Sequence, residues 1–239
     1  ETVTDPRGKV TTYGYDAARR LVSLTDANGH TQFRLTYDDQ GRLIQLLDAE
    51  DYATRLGYSF AEGQTTVTDP LGNATVYQFD DGYRLLGVRD ALGNSTVAAY
   101  DASNNLISST DKRGNTTQYQ YDARGNVTQT TDALGGVVRV SYDSQNDPLT
   151  VTNQRNFTTT FGYDANGNLL TITDARAALT RFTYDAYGQV TGITDAEGRA
   201  TPVEYDAVGN LKKITDALTR STSFNYDLVS RMTDVTDPR

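Results

Sequence analysis

One feature constrains this chain more than any other, a Tyr-Asp pair that returns at a nearly fixed spacing. The pair occurs nine times, and variant pairs that begin at Tyr58 and Phe79 fill the two vacant places. The spacing is 22 residues once, between Tyr15 and Tyr37, and 21 residues in all nine later steps. Such a period indicates a repeat architecture, whose length counts repeats rather than domains. The repeated aromatic positions, for which we predict a structural role, are Tyr15, Tyr37, Tyr58, Phe79, Tyr100, Tyr121, Tyr142, Tyr163, Tyr184, Tyr205 and Tyr226.

A second landmark, an Asp that usually follows Thr, comes about ten residues after each Tyr-Asp pair. Both landmarks tend to continue as Asp-x-x-Gly. Asp can hydrogen-bond the backbone ahead of it in a type I turn, and Gly three residues later tolerates the left-handed conformation that closes a hairpin. Pro6, Pro70 and Pro238 directly follow such an Asp, where the turn requires φ near −65°. We predict turn roles for Asp26, Asp69, Asp111, Asp132, Asp174, Asp195, Asp216, Gly72, Gly114, Gly125, Gly167, Gly188 and Gly209.

The segments between turns have the length and the alternation of strands. The strand before each Tyr tends to read Thr-x-aromatic-x-Tyr, a pattern of period two. The following strand carries apolar residues three apart, such as Leu169 and Ile172, so a bulge or a twist must bring them to one face. The sequence therefore predicts an all-β fold. About eleven 21-residue hairpin repeats form one continuous antiparallel sheet, which curls into a spiral or hollow shell.

Three irregularities interrupt the pattern. The one longer step adds a residue to the strand that contains Phe33, which predicts a β-bulge. The repeat at Tyr58 loses the turn formula over residues 59–63. Pro202 falls inside a strand and removes a backbone donor, which predicts local exposure of an edge.

The composition argues against several classes of function. The net charge is −9 and no basic stripe follows the repeat, so we expect no nucleic-acid partner. The chain has no Cys, and no apolar run is long enough to span a membrane. Its one histidine, His30, has no second histidine beside it, and each carboxylate recurs with the turn. A segment that begins at Asp164 resembles a calcium loop but has Ala175 where the bidentate Glu belongs. We therefore predict a protein that is not an enzyme and that holds no cofactor or metal.

The formula Tyr-Asp-Ala-x-Gly-Asn-Leu, as in residues 163–169, followed by Thr-Asp-Ala-x-Gly, resembles the RHS or YD-repeat family. The resemblance covers essentially the whole chain. Relatives include bacterial Rhs polymorphic toxins, the C component of insecticidal toxin complexes, wall-associated YD-repeat proteins and, more distantly, animal teneurins. The resemblance implies a hollow β-shell that encloses a C-terminal toxin domain until delivery.

Two functions follow as expectations. In the first, residues 1–239 are a repeat array cut at both ends from a longer secreted or cell-surface bacterial protein. The array is then shell wall, and its partners are its own C-terminal cargo, neighbouring repeats and delivery machinery. In the second, the array is an extracellular adhesion or filament module without cargo, and cell-surface glycans are its partners. Tyr52, Tyr83 and Tyr187 stand in turns away from the repeated position, so they are the better candidates for outside contacts.

Overall fold

The computed structural model describes residues 1–237, so Pro238 lies outside the described residues. Every regular element in this part of the chain is a β-strand. The chain divides into two compact units, residues 1–117 and residues 118–239. Strand β12 begins at the end of the first unit and continues into the second.

The strands are short and follow the repeat. Those that begin in the first unit are β1 (Thr2–Thr4), β2 (Val10–Tyr15), β3 (Leu21–Thr25), β4 (Thr31–Tyr37), β5 (Leu43–Asp48), β6 (Ala53–Ser59), β7 (Gln64–Thr68), β8 (Ala74–Phe79), β9 (Leu85–Arg89), β10 (Ser95–Tyr100), β11 (Leu106–Thr110) and β12 (Thr116–Tyr121). The others are β13 (Val127–Thr131), β14 (Val137–Tyr142), β15 (Pro148–Thr152), β16 (Thr158–Tyr163), β17 (Leu169–Thr173), β18 (Leu179–Tyr184), β19 (Val190–Thr194), β20 (Ala200–Tyr205), β21 (Leu211–Thr215), β22 (Ser221–Tyr226) and β23 (Met232–Thr236).

Strands that follow one another in sequence pair antiparallel within each unit. In the first unit the pairing runs from β1 to β11. In the second it runs from β12 to β23. Each Tyr-Asp turn joins the two strands of one hairpin, and each Thr-Asp turn joins one hairpin to the next. The predicted all-β array of antiparallel hairpins is confirmed.

In the regular hairpins a bulge brings the apolar residues of the second strand to one face. In the hairpin of β16 and β17, Phe161 pairs with Ile172 and Tyr163 pairs with Leu169, so Leu170 is the extra residue. Residues directly opposite each other share a face, and the extra residue restores the alternation. Of the two explanations that the sequence allowed, the bulge is the correct one.

Two other irregularities have different outcomes. The expected bulge near Phe33 is confirmed, because Phe33 pairs with Leu24 while Thr31 pairs with Thr25. The expectation of an exposed edge at Pro202 is wrong, because β20 pairs with both β19 and β21. Proline removes one donor and shortens the β20/β21 ladder, which starts at Val203, but both neighbouring strands stay in place.

No side chain among residues 1–237 is fully buried. The repeated aromatic residues are half-buried, apart from the more exposed Tyr15. The array is therefore stabilised by rows of side chains that pack from strand to strand, rather than by an enclosed core.

Candidate functional site

The structural unit of the array is a five-residue turn held by an aspartate. Asp164 accepts the Gly167 N–H at its backbone carbonyl, and its own N–H donates to the Asn168 carbonyl. Its carboxylate Oδ1 accepts the backbone N–H groups of Asn166 and Asn168 at 2.8 and 2.9 Å. The amide Nδ2 of Asn168 donates to Oδ2 at 2.8 Å. The Asn168 side chain, followed by these backbone donors, lowers the pKa of Asp164 from its ordinary value.

The predicted Asp positions have the same geometry. Each carboxylate accepts the backbone N–H groups two and four residues ahead of it, and these carboxylates belong to Asp26, Asp69, Asp111, Asp132, Asp174, Asp195 and Asp216. Asn153 makes both bonds with its side-chain amide oxygen. Since the geometry is copied from turn to turn, it favours a role in chain reversal over a role in chemistry.

The fourth residue of the turn has a left-handed backbone. The six predicted glycines have φ between 80° and 90°; they are Gly72, Gly114, Gly125, Gly167, Gly188 and Gly209. Other residue types adopt positive φ at the same place in other turns: Arg19, Asp51, Tyr83, Asn104, Asn146, Asn156, Ala177, Thr219 and Ser230. The set of turn residues predicted from the sequence did not include them, because most of these residue types seldom adopt this conformation. The fixed period alone could have located them.

In several repeats the hydroxyl of the repeated Tyr links a hairpin to the one before it. Tyr184 donates from Oη to the carbonyl oxygen of Leu169 at 2.8 Å. Leu169 lies beyond Thr171, the last residue of β17 that pairs with β18, so the hydroxyl supplies a donor where the ladder has ended. The same bond, to a carbonyl 15 or 16 residues earlier, is made by Tyr37, Tyr58, Tyr100, Tyr142 and Tyr163.

The other repeated aromatics occupy the same strand position, and they are Tyr15, Tyr121, Tyr205, Tyr226 and Phe79, at the ends of β2, β12, β20, β22 and β8. Burial, then the negative charges of Asp147 and Asp143, raises the pKa of the Tyr163 phenol. That phenol therefore remains a hydrogen-bond donor throughout the physiological range. Sequence reasoning predicted a structural role for these aromatic residues and missed the hydroxyl bond. The preference for Tyr over Phe was the available signal.

The fifth residue of many Tyr-Asp turns forms a second link between hairpins. In the first unit, the Arg20 guanidinium lies 4.8 Å from the centre of the Tyr37 ring and donates to the Asp38 carbonyl at 3.3 Å. Arg84 makes the same pair of contacts with the next repeat. In the second unit, Gln189 donates to the Gly209 carbonyl at 2.9 Å. These side chains occupy the space between consecutive turns, and Arg adds a cation–π contact.

The irregular turn, residues 59–63, departs from this plan. Tyr58 pairs with Thr65 without a bulge, and all five residues of β7 then pair with β8. The backbone N–H of Phe79 donates to the Gly63 carbonyl at 2.7 Å. The backbone ladder between β7 and β8 is therefore longer than the ladders between regular hairpins, and the aromatic residue that ends β8 is Phe rather than Tyr.

Metal-ligating side chains are not brought together in residues 1–237. The described residues contain no group of His, Cys, Asp and Glu side chains that could hold a metal ion. The His30 ring is exposed, with Nδ1 3.7 Å from Asp26 Oδ2. No helix in this part of the chain is long and apolar enough to cross a membrane. Tyr52, Tyr83 and Tyr187 are all exposed at turns.

A family model described as RHS Repeat matches residues 2–31, 61–95, 100–137, 142–179, 163–200 and 205–239, more than half of the chain. The chain belongs to the RHS repeat family. The hairpin with its Asp turn, its bulge and its Tyr hydroxyl bond is thus the form that the RHS repeat takes in this protein. The family resemblance predicted from the Tyr-Asp formula is confirmed.

Solved structures that match this chain include toxin complexes. One is a structure of the Photorhabdus luminescens Tc holotoxin pore, with 14% identity, a TM-score of 0.51, and coverage of 95% of this RHS chain and 17% of that chain. Another is a crystal structure of TcdB2-TccC3, with 16% identity, a TM-score of 0.36, and coverage of 96% and 19%. The RHS array thus spans less than a fifth of the length of each of these chains. A search of curated proteins finds no match.

Proposed function

We propose that this RHS array is a section of the wall of a β-shell in a secreted bacterial protein. The shell encloses a C-terminal toxin or effector until delivery. The proposal rests on one observation, the hydrogen bond between hairpins that recurs along the array. An example is the bond from the Tyr184 hydroxyl to the Leu169 carbonyl. A surface built from one repeated, self-linking unit is suited to enclosing a volume. The role of the array is therefore mechanical rather than catalytic.

The backbone pairing gives a physical reason why such a wall would isolate its contents. A strand paired on both sides presents no free ladder of N–H and C=O groups to another chain, so edges remain only where the pairing stops. The wall's partners are the cargo, the neighbouring repeats and the delivery machinery. The fold shared with a chain of a Tc holotoxin pore supports this reading, and the cargo would lie in the part of the protein beyond the array.

The intact mass of the full-length protein, first native and then denatured, tests the proposal. If the array belongs to a shell with cleaved cargo, a C-terminal fragment co-purifies with the array and separates only on denaturation. One uncut chain under both conditions would remove the support for cleaved, enclosed cargo. Protection of the C-terminal fragment from added protease in the native sample, and its digestion after denaturation, would show that the fragment is enclosed.

A second candidate function is an extracellular adhesion or filament module without cargo. Exposed leucines at the tips of Thr-Asp turns favour it, since Leu71, Leu92 and Leu134 are each at least 87% exposed. Apolar side chains in water are common contact points for partners. A cell-wall or membrane anchor in the full-length protein, together with cell binding that is lost on Leu71→Ser and Leu92→Ser substitution, would support this function over the shell.

A further inference from the structure

Apolar side chains stand at the tips of three consecutive Tyr-Asp turns in the second unit. These side chains, which we call the apolar row, are Tyr187, Val208 and Val229, each the third residue of its turn and each at least 69% exposed. Leu228, beside Val229, is exposed as well. The preceding Tyr-Asp turns of this unit have polar residues at the same place, namely Arg124, Gln145 and Asn166. A single exposed apolar residue is ordinary, whereas a run of them on neighbouring turns is typical of a contact surface.

Hydrogen bonds within the turns fix the backbone of the apolar row. The backbone N–H groups of Tyr187, Val208 and Val229 each donate to Oδ1 of the Asp that begins the turn, at 2.8, 3.0 and 3.0 Å. Positive φ at the next residue then closes each turn. A surface whose backbone is already fixed loses little conformational entropy when a partner binds, so the row is preorganised for contact.

A groove separates the first two tips of the row. It has a volume of about 990 Å³ and lies between the turn that begins at Asp185 and the turn that begins at Asp206. Tyr187 and Val208 line it, together with the half-buried ring of Tyr205. The groove therefore offers space for an apolar side chain of a partner between two tips.

The charges beside the row indicate a basic partner. Backbone N–H groups hold the carboxylate of Asp185, and backbone N–H groups and the Asn210 side chain hold that of Asp206. In the part of the chain that the structure describes, no Lys or Arg pairs with either carboxylate, whereas Arg231 pairs with Asp227 at 2.7 Å. Two carboxylates thus lie next to the apolar tips without a cation, and Lys or Arg of a partner would complement them.

The spacing of the row favours a helix over a strand as the partner. Each hairpin has two strands, so equivalent tips of consecutive hairpins lie about 10 Å apart. In an α-helix, residues seven positions apart are separated by about 10.5 Å and point to nearly the same side. In an extended strand, residues three positions apart span about 10 Å but point to opposite faces. A helix that lies across the hairpin ends can therefore contact every tip, and a strand cannot.

We propose that the apolar row docks an amphipathic helix of another protein, with an apolar side chain at every seventh residue and Lys or Arg beside it. The apolar side chains of the helix pack against Tyr187, Val208 and Val229, and its cations meet Asp185 and Asp206. This inference does not depend on the shell function, since it concerns the tips of three hairpins and requires no cargo.

Binding of a model helix to the full-length protein, measured by titration calorimetry, tests the proposal. The probe is a peptide of three heptads with Leu at one fixed position of each heptad and with Ala and Lys elsewhere. We expect a Kd of about 100 μM or tighter. One control peptide has the same composition with the Leu spacing scrambled, and a second has Glu in place of Lys. Each control should bind at least about tenfold more weakly.

Variants of the protein locate the contact. Tyr187→Ser and Val208→Ser should each weaken binding about tenfold, because each removes an apolar tip from the row. Leu134→Ser is the matched control, since it removes an equally exposed apolar side chain from a Thr-Asp turn of the same unit, and it should bind like the unmodified protein. Asp185→Asn removes a charge and keeps the turn, because Asn153 makes the same two backbone bonds. It should weaken binding and reduce the dependence of binding on salt.

Four outcomes would overturn the proposal. The model helix does not bind at millimolar concentration, or either control peptide binds as well as the model helix. Alternatively, Tyr187→Ser and Val208→Ser bind as well as Leu134→Ser. Finally, sedimentation equilibrium of the protein alone shows self-association that Tyr187→Ser abolishes, which would mean that the row contacts a second copy of this chain.

Discussion

A regular hairpin and the irregular one solve the same hydrogen-bonding problem in two ways. Between β17 and β18 the ladder stops at Thr171, and the Tyr184 hydroxyl serves the carbonyl of Leu169. Between β7 and β8 the ladder continues through all five residues of β7, and the Phe79 backbone N–H donates to the carbonyl of Gly63, the residue before β7. The bulge shortens the ladder between hairpins, and the Tyr hydroxyl compensates for it.

The difference indicates that the Tyr hydroxyl bond accompanies the bulge that shortens the ladder. Where the turn formula is lost, the bulge is absent, the ladder continues to Gln64, and the aromatic residue of the next strand is Phe. The irregular turn also loses its bridging side chain, since Gly63 has none. Each of the following predictions alters one side of this comparison, and the largest expected effect comes first.

Alanine at two glycines should separate a steric requirement from a purely conformational one. At Gly63, with φ +62°, the added Cβ would meet a backbone oxygen at 2.4 Å. At Gly167, with φ +83°, its nearest neighbour is a side-chain oxygen of Asp147 at 3.6 Å. We expect Gly63→Ala to lower the free energy of unfolding by about 3 kcal/mol and Gly167→Ala by about 1 kcal/mol. Urea unfolding measures both, and equal losses would contradict the close approach at Gly63.

Exchanging Tyr and Phe at the repeated position tests the hydroxyl bond directly. Tyr184→Phe leaves the Leu169 carbonyl without its donor, and we expect a loss of about 1 kcal/mol, read by hydrogen exchange near β17. Phe79→Tyr, at the end of the strand that follows the irregular turn, should bring no gain, because the ladder between β7 and β8 already extends to the bond between the Phe79 N–H and the Gly63 carbonyl. If Phe79→Tyr stabilised the array as much as Tyr184→Phe destabilised it, the coupling of bulge and tyrosine would be wrong.

Relief of strain in the turn after the irregular one should stabilise the array slightly. Tyr83→Gly replaces a residue at φ +61° by one that adopts this conformation freely, and we expect a gain of about 0.5–1 kcal/mol in the free energy of unfolding. The reverse change in a regular turn, Gly188→Tyr, should lower stability by a similar amount, since Gly188 has φ +80°. A loss on Tyr83→Gly would mean that the ring has a structural role.

Acid should loosen the regular turns more than the irregular one. The Lys112 ammonium group, followed by the Asn94 side chain, lowers the pKa of Asp90 to about 2 despite some desolvation, and the Asn168 side chain lowers that of Asp164. Because the folded state favours the ionised carboxylate, this stabilisation is complete above the ordinary Asp pKa and is lost between about pH 4 and pH 2. The irregular turn begins with Ser59, which does not titrate.

Hydrogen exchange by mass spectrometry, corrected for the intrinsic rate at each pH, checks this difference. Peptides that contain regular turns should lose protection below about pH 4, while the peptide over residues 59–64 should change less. A uniform loss of protection along the array would contradict a role for the turn carboxylates. The stabilisation that each turn carboxylate gives the folded state is the smallest of the four expected effects, because these carboxylates are exposed and screened by solvent.

Local rules were enough to predict most of the fold. The period, the Asp turns and the bulge near Phe33 all depend on residues a few positions apart, whose chemistry the sequence displays. The Tyr184 hydroxyl bond joins residues 15 apart in different hairpins, and it becomes visible only when the ladder is seen to stop at Thr171. Whether two neighbouring strands stay paired to their ends depends on the bulge, and the sequence left open whether a bulge or a twist occurs there.

Some residues contradict the local rules that were used to interpret them. Ala177 and Thr219 adopt the left-handed conformation because the neighbouring strands fix the turn, and the strand pairing outweighs the preference of one residue. Pro202 did not make an edge for the same reason, since partners on both sides hold β20.

The Tyr hydroxyl bond always points backwards along the chain, from a later hairpin to a carbonyl in an earlier one. During synthesis, the acceptor carbonyl therefore leaves the ribosome before the Tyr that binds it. A new hairpin can form this bond without any residue that is translated later. Since every contact of this kind spans about one repeat, the order of assembly follows the order of translation. We expect the array to grow from its amino end one hairpin at a time, with each new hairpin covering the open strand left by the previous one.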